Sequence, residues 1–255
     1  MIRLGIILVS CGALIAAAVI LAGGPGTRFG LWEYGTGFTM MRTATPFAMF
    51  FTVASAIAFV IAMIKVRGLA LFAGLAVIVG AAGIYGPMTM RAKVAANPFI
   101  HDITTDFENP PQIIAAAALP RKNPPQYVGG NPAPRAKAGV SIADAQRAAF
   151  PDIVPVVTDA DPEVAISAAR RVLADMKLAV LAEGPLEAPD GLRIEAVHTS
   201  FWYGFKDDFI VRISPLADGG TRIDMRSKSR IGLSDIGANA ARIRDFTERL
   251  NAALG

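Results

Sequence analysis

Three long stretches of the chain carry no charge. Leu4 to Ala22 is an unbroken apolar run of 19 residues, preceded by Arg3. Pro46 to Ile64 is a second, closed by Lys65, and Gly68 to Met90 is a third, closed by Arg91 and Lys93. A helix needs about 20 apolar residues to cross a hydrocarbon core of about 30 Å. Inside that core the backbone must satisfy its own hydrogen bonds, so helix is the expected form of each run. As soluble core helices they would need a larger body around them than the remaining chain supplies. The pattern predicts a membrane anchor over residues 1–95, with spans near 4–22, 46–64 and 68–90. Gly23-Gly24-Pro25-Gly26 and the following Phe29, Trp32, Tyr34 and Phe38 read as an interfacial loop, because Trp and Tyr favour the head-group level. Small residues recur in the third run, Gly68, Ala70, Ala73, Gly74, Ala76, Gly80, Ala81 and Gly83, and permit close helix contact. No ionisable side chain lies inside any run, which argues against a pump or transporter.

Residues 96–155 hold ten prolines, from Pro98 to Pro155, so this stretch reads as an extended linker poor in regular structure. Only Ser141 to Ala149 has the pattern of a short helix. From residue 156 the pattern changes. Pro155 to Thr158 suggests an edge strand. Asp161-Pro162-Glu163 supplies a cap, a first-position proline and a first-turn acid, and Ala165, Ala169, Val172 and Met176 follow at helical spacing. Leu178 to Ala182 and Leu192 to Ser200 read as strands, with a turn at Pro189-Asp190-Gly191 between them. Asp208 to Ser214 and Thr221 to Ser229 read as two more, joined at Asp218-Gly219-Gly220. A last helix is expected from Ser234 and Asp235. Its buried stripe is Ile236, Ala240, Ile243, Thr247 and Leu250, helped by Phe246, and its wet face is Arg242, Arg244, Asp245, Glu248 and Arg249.

The order of elements predicts an α+β fold: three transmembrane helices, then a small antiparallel sheet packed on two helices, with the soluble domain over 156–255. Period-2 reading turns Phe209, Val211, Ile213, Ile223 and Met225 toward the helices. The other face carries Asp208, Arg212, Arg222, Asp224, Arg226, Lys228 and Arg230.

The net charge of +4 is unevenly placed. Residues 1–95 carry 7 Lys and Arg against one acid, Glu33, whereas residues 151–255 carry 13 against 16. The basic excess therefore sits at helix ends, and a net-acidic soluble domain lacks the footprint of a nucleic-acid binder. The tight Lys65-Val66-Arg67 connection favours the cytoplasm. That places the C-terminal domain outside, on the periplasmic side of a bacterial inner membrane, although Arg28 and Arg42 in the first loop pull the other way. Cys11 is the one cysteine, so no intrachain disulfide forms. Leu8-Val9-Ser10-Cys11 resembles a lipoprotein cleavage box, but the apolar run continues to Ala22 and favours a span.

The densest polar stretch runs from Asp224 through Arg226, Ser227, Lys228, Ser229 and Arg230, and continues to Asp235, Asn239 and Arg242. Basic side chains near a helix N-terminus suit a carboxylate, a phosphate or a lipid head group. Cross-strand ion pairs joining Asp207, Asp208, Asp224 and Asp235 to nearby arginines are the preferred reading. Asp207 and Asp208 are adjacent on a strand and point to opposite faces, so they do not form a catalytic dyad. His101 and His198 stand in no metal-ligand spacing, and no metal or other cofactor is expected.

Several segments resemble the domain-of-unknown-function family 1499. They are Glu195-Ala196-Val197-His198-Thr199, Phe205 with Asp207-Asp208, Arg212, and Asp224 through Gly232 with its Arg-Ser-x-Ser-Arg-x-Gly core. Asp235, Gly237, Asn239 and Arg242-Ile243 continue the likeness, as do Ile100 to Asp106 and Pro110-Pro111 upstream. The resemblance covers roughly residues 97–250. It implies N-terminal membrane helices and no established reaction, ligand or cofactor. With the polar stretch it marks His198, Thr199, Asp208, Arg212, Asp224 and Arg226 as candidate binding residues, together with Ser227, Ser229, Arg230, Asp235, Asn239 and Arg242.

The expected function is a membrane-anchored envelope protein whose soluble domain is a non-catalytic module for a protein or an amphiphile. Expected partners are the bilayer and an envelope protein or lipid ligand. The alternative is a small hydrolase or transferase using His198, Asp208, Arg226 and Arg230.

Overall fold

In a computed structural model, residues 1–185 and 191–255 are described, and they form two compact units. The first unit is Met1–Ala92 with Phe201–Gly204; the second is Lys93–Ser200 with Phe205–Gly255.

The first unit is built on helices α1 (Ile2–Arg28), α2 (Tyr34–Lys65) and α3 (Ala70–Ala96), with a 3-10 turn at Arg67–Leu69. All three are long and apolar enough to cross a membrane. Their packing is inverted relative to a protein folded in water. Ala13, Ala17, Ala48, Ala62, Ala73 and Ala76 are buried, while Leu8, Ile15, Phe47, Phe50, Leu71 and Ile78 face outward. Water would expel such a surface; lipid accepts it, and small faces let helices meet. Of the small residues in α3, Gly80 lies against Thr52 and Gly83 against Ala17. Ser55 Oγ donates to the Val9 carbonyl at 3.2 Å, a polar tie between α2 and α1.

The first loop is shorter than expected. Gly23-Gly24-Pro25-Gly26 is helical and belongs to α1, Tyr34 and Phe38 belong to α2, and only Phe29–Glu33 connect the two helices. The reason is a close crossing: a Cβ on Gly23 would stand 2.8 Å from the Gly37 carbonyl oxygen. A glycine run that weakens an isolated helix here lets two backbones pack against each other. Trp32 Nε1 and Thr27 Oγ1 both donate to the Gly23 carbonyl, at 3.1 and 2.9 Å.

The second unit is an open antiparallel sheet with helices on one face. In chain order it holds β1 (Asp102–Thr104), α4 (Ile142–Ala149), β2 (Val156–Thr158) and α5 (Pro162–Asp175). Then follow β3 (Ala179–Pro185), β4 (Leu192–Thr199), β5 (Lys206–Pro215), β6 (Thr221–Ser229) and α6 (Ala238–Leu254). The strand order is β1-β6-β5-β4-β3, and β2 also pairs with β6. The expected turn at Pro189-Asp190-Gly191 falls largely outside the described residues. Asp161 caps α5 by accepting from Glu163 N, with Pro162 at the first position. Ser141 and Asp144 form a capping box on α4.

Phe209, Val211, Ile213, Ile223 and Met225 all face the helices and are fully buried, as their alternation predicts. Phe246 of α6 meets Phe209 at 5.2 Å between ring centroids. The proline-rich stretch has more structure than a linker. Its β1 extends the sheet beside β6, and Gln146 of α4 exchanges hydrogen bonds with the main chain of Thr104 at 3.2 and 2.7 Å. The last helix starts later than expected, at Ala238. Ile236 and Gly237 sit at positive φ, and a Cβ on Gly237 would collide with Asn97. Arg242 was expected on the wet face of α6 and is buried instead.

Gly37→Leu should force α1 and α2 apart at their crossing. The expected outcome is a lower melting temperature for the detergent-solubilised chain, whereas Gly5→Leu, at a position with open space around it, should leave it unchanged.

Candidate functional site

Alternation along the strands divides the candidate residues between two faces. On the helix side lie His198 of β4, Asp207 of β5 and Ser227 and Ser229 of β6, with Asn239 and Arg242 from α6. On the far side lie Arg193 and Glu195 of β4, Asp208 and Arg212 of β5, and Asp224, Arg226 and Lys228 of β6. Registers fix this split, since His198 pairs with Asp207 and Asp208 pairs with Lys228.

The helix-side group is a closed network. Arg242 donates to Asp207 at 2.9 Å, to Ser227 at 2.8 Å and to Asn239 at 2.5 Å, and stands 2.9 Å from His198 Nδ1. Ser227 donates to Asn239 at 2.7 Å, and the Asn239 amide donates to Ser229 at 3.1 Å. Asp207 Oδ2 lies 3.6 Å from His198 Nδ1. Burial pushes the Asp207 carboxyl up, but His198, Arg242 and Ser229 outweigh it and hold it below the usual range. Among the described residues Asp235 forms no salt bridge with an arginine. It accepts from Gly237 N at 2.8 Å and Asn239 N at 3.0 Å, the start of α6. Its carboxyl is pushed up to about 6, chiefly by burial. Thr199 lies at the rim of β4, where its hydroxyl accepts from Lys206 at 2.6 Å.

The far side is covered by residues 105–126. Prolines strip this segment of N–H donors while leaving its carbonyls, so it cannot complete a strand ladder. The sheet supplies the missing donors. Arg226 donates to the carbonyls of Pro111 and Pro125 at 3.2 and 3.0 Å, and Lys228 donates to Gln126 at 2.8 Å. Arg212 donates to the Asn109 carbonyl at 2.7 Å. In return, Glu195 accepts from the N–H groups of Ile114, Ala115 and Ala116, which open a 3-10 turn at Ala115–Ala118. The Asn123 amide donates to Ser229 and Gly232 carbonyls at 2.9 and 2.8 Å.

Charges beneath this cover are paired. Asp102 of β1 receives two bonds from Arg226, at 2.9 and 2.8 Å, and one from Lys228 at 2.8 Å, with all three side chains almost fully buried. Burial raises the Asp102 carboxyl, and its two cations more than reverse that. Burial also lowers the Lys228 ammonium against the pull of Asp102. Asp208 is held by Arg121 at 3.0 Å and by Arg230 at 2.7 Å. Asp224 is held by Arg212 at 2.8 Å and Arg222 at 3.0 Å, and Asp106 shares both arginines.

Residues 102–250 match the family described as "Protein of unknown function (DUF1499)". The chain belongs to this family. No curated protein and no solved structure matches it. In this DUF1499 domain the polar residues singled out from sequence exist as two networks on opposite faces. His198 therefore does not meet Asp208, Arg226 or Arg230. Sequence reasoning missed Asp102, Arg121, Asn123 and Glu195, which complete the networks. Asp102 lay in a segment already noted for its family likeness, but its partners are more than 120 residues away.

Asp102→Ala should leave Arg226 and Lys228 buried without their counter-charge. The expected loss is about 3–5 kcal/mol of stability, read from urea unfolding of the second unit. Asp235 gives a pH signature. An unfolded Asp titrates near about 3.9, so its raised native pKa lends stability below about pH 4 that is lost as pH rises through about 6. Half-buried His101, whose pKa desolvation lowers, acts in the opposite sense over part of that range. The readout is therefore a difference: Asp235→Asn should gain stability relative to wild type between pH 4.5 and 6.5. Parallel pH profiles would contradict this account.

Proposed function

We propose that the chain is an integral membrane protein of the bacterial inner membrane, with its second unit on the periplasmic side as a non-catalytic binding module for an envelope protein or an amphiphile. The apolar outer surface of α1–α3 supports the membrane part, because large side chains turned outward suit only an apolar solvent.

The observation that carries the non-catalytic reading is the commitment of the polar side chains. Asp208, Arg226 and Arg230 are almost fully buried and bonded to other protein groups, so they have no path to a substrate. The half-exposed His198 lies on the opposite face of the sheet, beside Arg242. A hydrolase or transferase needs polar groups converging on one concave site. The four residues of the enzyme reading do not converge.

The full-length chain should stay in the pellet after carbonate washing of membranes. A phosphatase fused after Gly255 should be active if the C-terminus is periplasmic, and a fluorescent protein there dark. Purified from crosslinked cells, the chain should retain a defined lipid or envelope protein. Recovery in the supernatant would end the membrane reading, and a chain that retains neither would end the binding-module reading.

A further inference from the structure

One cleft in the second unit lies where the far side of the sheet emerges from its cover. Its volume is about 430 Å³, within the range of small-molecule sites. Three guanidinium groups line it: Arg193, Arg212 and Arg222, from three adjacent strands.

Arg193 stands directly opposite Arg212 across the β4–β5 ladder. Like charges in that position oppose sheet formation. Carboxylates beside the arginines offset the repulsion, and one of them, Asp224, itself lines the cleft. Asp224 and Asp106 each hold Arg212 at 2.8 Å, and Asp224 bonds Arg222 at 3.0 and 3.1 Å. Among the described residues Arg193 is held through Nε alone, by Glu195 at 3.0 Å. That carboxylate already accepts three main-chain N–H groups. Among the described residues the two terminal nitrogens of Arg193 bond to nothing, and Nη1 of Arg222 is likewise uncommitted. Ser214 Oγ stands beside them on the cleft wall.

Arg193 and Arg222 are therefore held by carboxylates through part of each guanidinium, with N–H groups left over at the cleft. A planar fork of this kind suits a carboxylate or a phosphate. Pro111, Ile114 and Pro185 add an apolar wall. The carboxylates nearby balance the arginines formally, which selects one oxyanion over a polyanion. We infer that this cleft binds the oxyanion of a small amphiphile, through Arg193 and Arg222, with the apolar part of the ligand against Pro111, Ile114 and Pro185. The inference rests on the binding-module reading and names its ligand class.

The test uses the full-length chain in phosphatidylcholine nanodiscs, titrated calorimetrically with phenyl phosphate, benzoate and, as a neutral control, benzyl alcohol. Saturable binding of either anion, absent for the alcohol, is expected. Arg193→Gln and Arg222→Gln should each weaken it by about tenfold or more, the loss typical of a charge-assisted hydrogen bond. Arg249→Gln, which breaks a surface pair within α6, should bind as wild type. If the arginine variants do not fold, Ser214→Leu, which narrows the cleft, should still abolish binding. Phosphatidic acid in the nanodisc that competes with phenyl phosphate would identify a lipid head group as the source; no competition would identify a free molecule. Wild type that saturates with neither anion, or an Arg193→Gln chain that binds equally well, overturns the inference. A chain that still captures a lipid or an envelope protein in that case keeps the binding-module reading.

Discussion

A proline-rich segment has more carbonyl acceptors than N–H donors, and an arginine-rich strand has more donors than acceptors. The second unit is organised by putting one on top of the other. Arg212, Arg226 and Lys228 reach up to the carbonyls of Asn109, Pro111, Pro125 and Gln126, and Glu195 collects the N–H groups of the turn at Ala115–Ala118. Neither partner could be buried alone, because each unpaired polar group would lose its water without compensation. Joined, they make a second, polar layer on a sheet whose other face is hydrocarbon. The acids Asp102, Asp208 and Asp224 complete it by neutralising the cations beneath the cover.

This arrangement explains which parts of the structure could be read from sequence. Period 2 records which face of a sheet a residue occupies, and it held: Phe209, Val211 and Ile213 line the core, and Asp207 and Asp208 part to opposite sides. The cap at Asp161 is a local signal and was equally plain, whereas the helix after Ser141 was read without its capping box. The cover was not legible. Prolines signal the loss of a ladder, and nothing local says that arginines far along the chain will take over the carbonyls. The same limit hid the role of Asp102. Arg242 failed for another reason. It shares the buried stripe of α6 with Asn239, Ile243 and Phe246, but a charged side chain is read as wet unless its partner, here Asp207, is known.

The two units pack in opposite senses. In the second, large apolar side chains such as Phe209 and Phe246 are driven inward. In the first, the inside is alanine, glycine and serine, and bulk is outside. Gly23 and Gly37 show why: backbone contact needs the absence of a side chain, and once helices are surrounded by lipid, contact rather than expulsion from water holds them together. The charge-free runs in the sequence mark the three helices that are long and apolar enough to cross a membrane, although the helices extend past the runs at several ends. The glycines after Ala22 read as a break in the chain, yet a helix can carry them where another backbone lies against it.

A side chain held in a mutual pair must give up that partner before it can meet a ligand. The helix-side network illustrates the point: Ser227, Asn239, Arg242 and Asp207 each spend their hydrogen-bonding capacity on one another. Such a network fixes α6 to the sheet and specifies one packing. What a folded domain can offer a ligand is the capacity left over once its own polar groups are satisfied. Here the surplus falls at Arg193, because the main chain of Ile114 to Ala116 has already taken most of Glu195. The groups left over thus follow from the same donor and acceptor balance that closes the fold.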